Sequence, residues 1–221
     1  MWTPLSARAA GPLSRAVPED PYVYPGTEVL RNKFNERDPE RLREREYRAT
    51  AKRAVAAPAF EPSAGGYKAT HRHLFQDVFA WAGELRTTEL AKGGSPFARQ
   101  GFVEAALQDR FRQVDRLGGF KGIVAVTFAV EAAHHISELN AIHPFREGNG
   151  RTMRLHLEQI AELARHTIDY GKMDGASWVK ASIAAFQGDE QPLARLIGTA
   201  IGLSERDLGR VRDAASNGHG R

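Results

Sequence analysis

The sequence predicts a mainly α-helical bundle carrying one short β excursion. Three observations lead there. Apolar residues recur at helical spacing in segment after segment, glycine and proline punctuate those segments, and strand-like residues are confined to one stretch near the middle. With 221 residues, 42% of them hydrophobic, the chain suffices for one substantial core. The expected division is a flexible leader over residues 1–20, a single folded domain over 21–204 and a flexible tail over 205–221.

In chain order, DPERLREREYRATAKRAVAA opens at Asp38-Pro39, an N-cap followed by a proline in the first turn. It is charged nearly all round, so it is expected to show solvent a face laced with local ion pairs. YKATHRHLFQDVFAWAG reads as a second helix ending at Gly83, with Leu74, Phe75, Val78, Phe79 and Trp81 forming its apolar stripe. In ELRTTELAKGGSPFARQ, Thr87 and Thr88 incline to strand and Gly93-Gly94 can reverse the chain, which predicts a short hairpin or flap. FVEAALQDRFRQVDRL resumes helical patterning up to Gly118-Gly119. GIVAVTFAVEAAHHISELNAI is apolar on most faces and is expected to be the buried central helix. RTMRLHLEQIAELARH, GASWVKASIAAFQG and QPLARLIGTAIGL supply three more helices. From Glu205 the apolar periodicity fades, and the tail is expected to fray.

Composition narrows the function classes. There are no cysteines, so disulfides and thiolate metal sites are excluded, in keeping with a reducing, cytoplasmic setting. The longest apolar candidate for a membrane span is interrupted by Glu131, His134 and His135, so no association with a membrane is expected. A net charge of +4 permits attraction to nucleotides, nucleic acid or acidic surfaces but falls short of a polybasic arm, and no direct nucleic-acid contact is expected. Arg8 and Arg15 precede the first acid, Glu19, a pattern that overlaps with organellar transit peptides but reads more readily as a plain disordered leader.

The chemistry concentrates in HPFREGNGRTMR, residues 143–154. Pro144 and Gly148 keep its first half out of a helix, whereas the chain from Asn149 onward can enter one. A loop that feeds a helix N-terminus presents unpaired amides and the positive end of the dipole, an anion site. Gly148 and Gly150 let a phosphate approach the backbone, Asn149 can cap the terminus or donate to a phosphate oxygen, and Arg151 and Arg154 can grip successive phosphates. Glu147 is out of place among anions unless it holds a cation, and Mg²⁺ shared with phosphate oxygens answers that. A neutral His143 at the loop entrance can take the proton of an attacking hydroxyl. Phe145 is expected to anchor the loop in the core. His134 and His135 are adjacent on a helix and point apart, which favours packing or hydrogen bonding over a metal. Trp178 and Tyr170 read as packing residues rather than as flanks of an adenine.

The twelve residues resemble, at every specified position, the signature of the Fic (filamentation induced by cAMP) family, His-Pro-Phe-x-Asp/Glu-Gly-Asn-Gly-Arg-x-x-Arg. Looser resemblance runs from DPYVYPGTEVLRNK through WAGELRTTELAKGG to GDEQPLARLIG. The resemblance implies a Fic-type helical bundle with a β-hairpin flap, and a target hydroxyl that attacks the α-phosphate of ATP to leave AMP on a protein. It implies that His143 is the general base, Glu147 the Mg²⁺ ligand, and Gly148, Asn149, Gly150, Arg151 and Arg154 the ATP-binding set. It implies, further, that Leu85, Arg86, Thr87 and Thr88 belong to the flap that aligns the target. Doc toxins, related kinases, lack the glycine pattern retained here at Gly148 and Gly150, which favours adenylylation over phosphorylation. Many Fic proteins carry an inhibitory Ser/Thr-x-x-x-Glu-Gly/Asn helix, but the only Glu followed by Gly or Asn here is Glu147. This resembles the Fic toxins restrained in trans by a small antitoxin, some of which modify DNA gyrase and topoisomerase IV. A secreted effector acting on a host GTPase is the alternative.

Overall fold

The computed structural model describes residues 20–92, 95–116 and 118–217. Eight α-helices are found among them: α1 Pro39–Val55, α2 Ala64–Phe75, α3 Val103–Arg116, α4 Ala125–Ile142, α5 Asn149–Leu163, α6 Gly175–Phe186, α7 Gln191–Ala200 and α8 Glu205–Asn217. Two-residue strands β1 (Ala91–Lys92) and β2 (Ser95–Pro96) pair antiparallel, so the mainly helical fold with a small hairpin is as expected. The turn expected at Gly93-Gly94 lies outside the described residues, as does the expected leader up to residue 19. No described helix is long and apolar enough to cross a membrane.

Local chemistry starts the early helices. The Asp38 carboxylate accepts the Glu40 and Arg41 amides at 3.0 and 2.9 Å, and Ser63 Oγ accepts the Gly66 amide at 3.0 Å to open α2. Helix α4 is the axis of the bundle. It packs against α3, α5, α6, α7 and α8, burying Phe128, Ala129, Ala132, Ala133, Ile136 and Leu139 completely; each large apolar side chain so buried stabilises the fold by roughly 1.5–3 kcal/mol. A second cluster joins Tyr24, Val29, Leu42, Leu74, Phe75, Val78, Phe79 and Leu155. It wedges the N-terminal arm, α1 and α2 against α5, next to the start of that helix.

Three expectations are corrected. Helix α2 ends at Phe75, not near Gly83, and Val78, Phe79 and Trp81 follow in turns. The Phe75 carbonyl accepts both the Val78 and Phe79 amides while the Val78 carbonyl accepts the Lys33 amide, so the chain is drawn toward the N-terminal arm instead of continuing the helix. Residues from Glu205 form α8, packed on α4 and α7, because Leu208 and Val211 bury a short apolar stripe that the surrounding charges obscure in sequence. The face of α1 is also not wholly solvated: Glu46 is buried.

Candidate active site

The loop from His143 to Gly148 joins two helices and is shaped from both ends. At the C-terminus of α4, His143 adopts φ 48°, ψ 62°, a left-handed conformation that costs a non-glycine residue on the order of 1–2 kcal/mol. It therefore needs support. The Arg86 amide donates to the Pro144 carbonyl at 2.9 Å, and Arg86 Nε donates to the His143 carbonyl at 2.8 Å. At the other end Gly148 caps α5 with φ 83°. A Cβ there would stand 2.3 Å from Phe75 Cζ, so both backbone and space demand glycine. Gly150 differs: a Cβ would meet no heavy atom within 4 Å.

The imidazole of His143 is held neutral. Its Nδ1 lies 3.2 Å from the Asn140 carbonyl, which can only accept, so Nδ1 carries the proton and Nε2 keeps a lone pair. Phe97, just beyond β2, stacks on the ring with centroids 3.8 Å apart and planes within 10°. Burial is the main cause that draws the His143 pKa down to about 4, and the positive charges of Arg86 and Lys92 add to it against the Asn140 hydrogen bond.

Helix α5 begins with no side chain capping its first amides, which leaves them for an anion. Asn149 does not cap that terminus. Its Oδ1 accepts the Phe145 amide at 3.0 Å and its Nδ2 donates to the Phe145 carbonyl at 2.7 Å, so the side chain braces the loop. Phe145 is buried as expected, stacked on His71 at 3.9 Å and on Tyr67 at 5.6 Å. Glu147 projects outward with its side chain 46% exposed; one carboxylate oxygen accepts the Gly148 amide at 2.8 Å and stands 3.7 Å from Arg151. Arg151 lies over the Phe75 ring at 4.7 Å and pairs with Glu46 of α1. Burial raises the Glu46 pKa despite that pairing. Arg154, one helical turn on, sits partly exposed beside Tyr170, whose hydroxyl donates to the Arg154 carbonyl at 3.1 Å.

Of the four residues expected in the flap, Leu85 packs against the main core, Arg86 is buried, and Thr87 is exposed with its amide donating to Tyr22 Oη at 3.0 Å. The Thr88 carbonyl accepts from Arg86 at 2.7 Å. All four precede β1.

Three supporting groups were not singled out by the sequence. His71 Nδ1 accepts the Gly83 amide at 2.8 Å, so its Nε2 carries the proton and donates to the Glu147 carbonyl at 3.0 Å; burial holds its pKa near 3. Arg146, the unspecified position of the motif, pairs with Asp20 at 2.7 Å. Glu46 pairs with Arg151 as above. His135 lies within a buried chain, accepting from Arg110 Nε at 2.9 Å and donating to His156 at 2.9 Å, while His134 meets Glu190 at 3.1 Å. Trp178 is buried in the main core.

A helical bundle that presents an open helix N-terminus, two arginines and a tautomer-fixed histidine is built to hold a nucleotide. The Fic/DOC family profile matches residues 62–161. A Sinorhizobium fredii relative named "Probable protein adenylyltransferase y4lH" is 39% identical over 180 residues, which are 80% of this chain and 93% of the relative. "Probable protein adenylyltransferase Fic" of Escherichia coli is 31% identical over 185 residues, 82% and 92% of the two chains. Among solved structures, the translocated effector BepC of Bartonella tribocorum, with bound AMPPNP, superposes with a TM-score of 0.74 at 29% identity, covering 83% of this chain and 97% of that one. The chain belongs to the Fic/DOC family. Within it, the chain is an enzyme of the protein adenylyltransferase class.

Proposed function

We propose that the chain transfers AMP from ATP to a hydroxyl side chain of a protein, with His143 as the general base. The observation that carries this reading is the His143 tautomer: with Nδ1–H donated to Asn140, Nε2 is the acceptor for the hydroxyl proton. The target oxygen bonds to the α-phosphorus, the bond from that phosphorus to the bridging oxygen breaks, and pyrophosphate leaves. The proton goes to Nε2. The α5 amides with Gly148, Asn149 and Gly150 form the phosphate nest, Asn149 by bracing the loop. Arg151 holds the inner leaving phosphates and Arg154 the γ-phosphate. Gly150 supports the nest, since packing gives no reason for glycine there and close approach by a phosphate does.

Glu147 is the group for Mg²⁺. Its half-exposed carboxylate beside the nest suits an ion that takes one carboxylate and draws its other ligands from phosphate and water. The described residues contain no cluster of three or more His, Asp or Glu that would cage a metal by themselves. When bound, the ion would neutralise phosphate charge. Leu85, Arg86, Thr87 and Thr88 belong to the flap against which the target backbone lies.

The target we favour is a type II topoisomerase subunit, DNA gyrase or topoisomerase IV, with the enzyme a cytoplasmic toxin restrained by a small antitoxin whose helix reaches Arg154. Support comes from the lack of a Ser/Thr-x-x-x-Glu-Gly/Asn segment in the sequence. A second reading, an effector acting on a host protein, draws on the likeness to BepC, described as VirB-translocated. Incubation with purified gyrase and topoisomerase IV subunits, followed by peptide mass spectrometry, tests the first reading. AMP on a subunit hydroxyl, absent with His143→Ala, is expected; unmodified subunits together with a labelled host GTPase would transfer the assignment to the effector.

A further inference from the structure

Arg86 is among the largest fully buried side chains, 1% exposed, yet every acceptor of its guanidinium is a main-chain carbonyl. Nε donates to His143 at 2.8 Å, Nη1 to Thr88 at 2.7 Å, and Nη2 to Ile142 at 3.2 Å and to Ala98. Its own amide donates to Pro144 at 2.9 Å. A buried cation without a carboxylate is costly unless its donors are satisfied. Here the fork meets carbonyls at the C-terminal end of α4, where the helix dipole favours positive charge.

These acceptors come from three places: the end of α4 with the base itself, the strand of chain entering the hairpin, and the strand leaving it. Ala98 is next to Phe97, whose ring stacks on His143, and the Ala98 amide donates to Ala141 at 3.0 Å. One planar fork thus fixes both arms of the hairpin to the residue that carries the base. A lysine ammonium has charge but not that geometry.

We infer that Arg86 is a positioning residue, a buried fork that sets the separation between the hairpin and His143 and so aligns a target hydroxyl held on the hairpin with the base. It does not touch the target. The inference rests on the AMP-transfer reading for its catalytic consequence but not for the mechanical link.

The test compares full-length Arg86→Lys and Arg86→Gln with wild type. Both should leave ATP affinity within about two-fold, because the phosphate nest stands on α5. Exchange of the Phe97 and Ala98 amides should quicken by about ten-fold or more. Transfer from α-labelled ATP should fall by about 10²-fold in kcat, the order of loss for a misplacement near 1 Å, with Lys retaining more than Gln. Unchanged exchange and transfer would overturn the inference, as would a loss of ATP affinity in step with transfer. If wild type labels no target, the AMP-transfer reading fails, while the exchange comparison still decides the link. If neither Arg86 variant folds, Phe97→Leu probes the other end: reduced transfer at unaltered ATP affinity, with the His143 pKa moving up by NMR, is expected. Wild-type transfer and an unmoved pKa would reject the link.

Discussion

Gly148→Ala separates the demands of folding from those of ligand binding when set beside Gly150→Ala. At 148 the backbone is left-handed and the new Cβ would lie 2.3 and 2.4 Å from Phe75 Cζ and Cε2. The conformation costs about 1 kcal/mol and forced overpacking about 1–3 kcal/mol more, so a loss of about 2–4 kcal/mol is expected. For a domain of this size that is a fall in Tm of roughly 4–16 °C. Phe75 also lies beneath the Arg151 guanidinium at 4.7 Å, so its displacement should weaken ATP binding as well. At Gly150 the Cβ meets nothing within 4 Å, and alanine in the first turn should leave Tm unchanged or slightly raised. Gly150→Ala should nevertheless weaken ATP binding, because the methyl occupies the approach to the nest. Thermal melting and ATP titration of both variants provide the check. A wild-type Tm for Gly148→Ala, or Gly150→Ala with lowered Tm and full ATP affinity, would refute the reasoning.

Other outcomes follow from the buried ionisable groups. Glu46→Gln removes the negative partner of Arg151 while keeping its shape, so ATP should bind several-fold tighter in calorimetry while the fold loses about 1–3 kcal/mol in denaturant melts, discounted from a fully buried pair because Arg151 remains partly exposed. His71 and His156 ordinarily titrate near 6.5 but are held near 3 by burial. Their folded pKa values lie below the unfolded ones, so their contribution is intact above about pH 6.5 and is lost as pH falls toward 3; at pH 5 the two together should cost about 4 kcal/mol, measurable by denaturant melts across that range. His143, drawn down to about 4, should give kcat/KM no acid limb between pH 8 and 5, measured over the pH range in which circular dichroism confirms that the chain stays folded. An inflection near 6.5 would mean that the base is not the buried, neutral ring seen here.

The twelve-residue motif, loop and helix start together, was legible because its parts are local. A proline, two glycines and a helix start lie within a few positions of one another, and their joint geometry follows from backbone rules. What props the loop up was not legible. Glu46 sits on a helix whose neighbours are charged on every side, and its partner Arg151 is 105 residues away in sequence. His71 reads as one more polar residue on an amphipathic helix, and only the fold reveals that both its nitrogens are used, by Gly83 and Glu147. Arg86 was expected in the flap, but nothing in the sequence said that its guanidinium turns inward. Asn149 was placed correctly at the start of α5, yet its amide braces Phe145 rather than the helix terminus. Helical periodicity carried α1, α3, α4, α6 and α7 well. It misled at Val78, Phe79 and Trp81, where turns bury apolar residues at spacings that mimic a helix, and at α8, where two apolar contacts suffice.

Which phosphorus the target oxygen attacks is the claim on which the account stands. The chain, Mg²⁺ and a bacterial lysate supplemented with gyrase should be incubated in parallel with α-labelled and γ-labelled ATP, alongside His143→Ala. The account predicts a protein band labelled only from the α-position and lost with His143→Ala. A band labelled only from the γ-position would contradict it, making the enzyme a kinase.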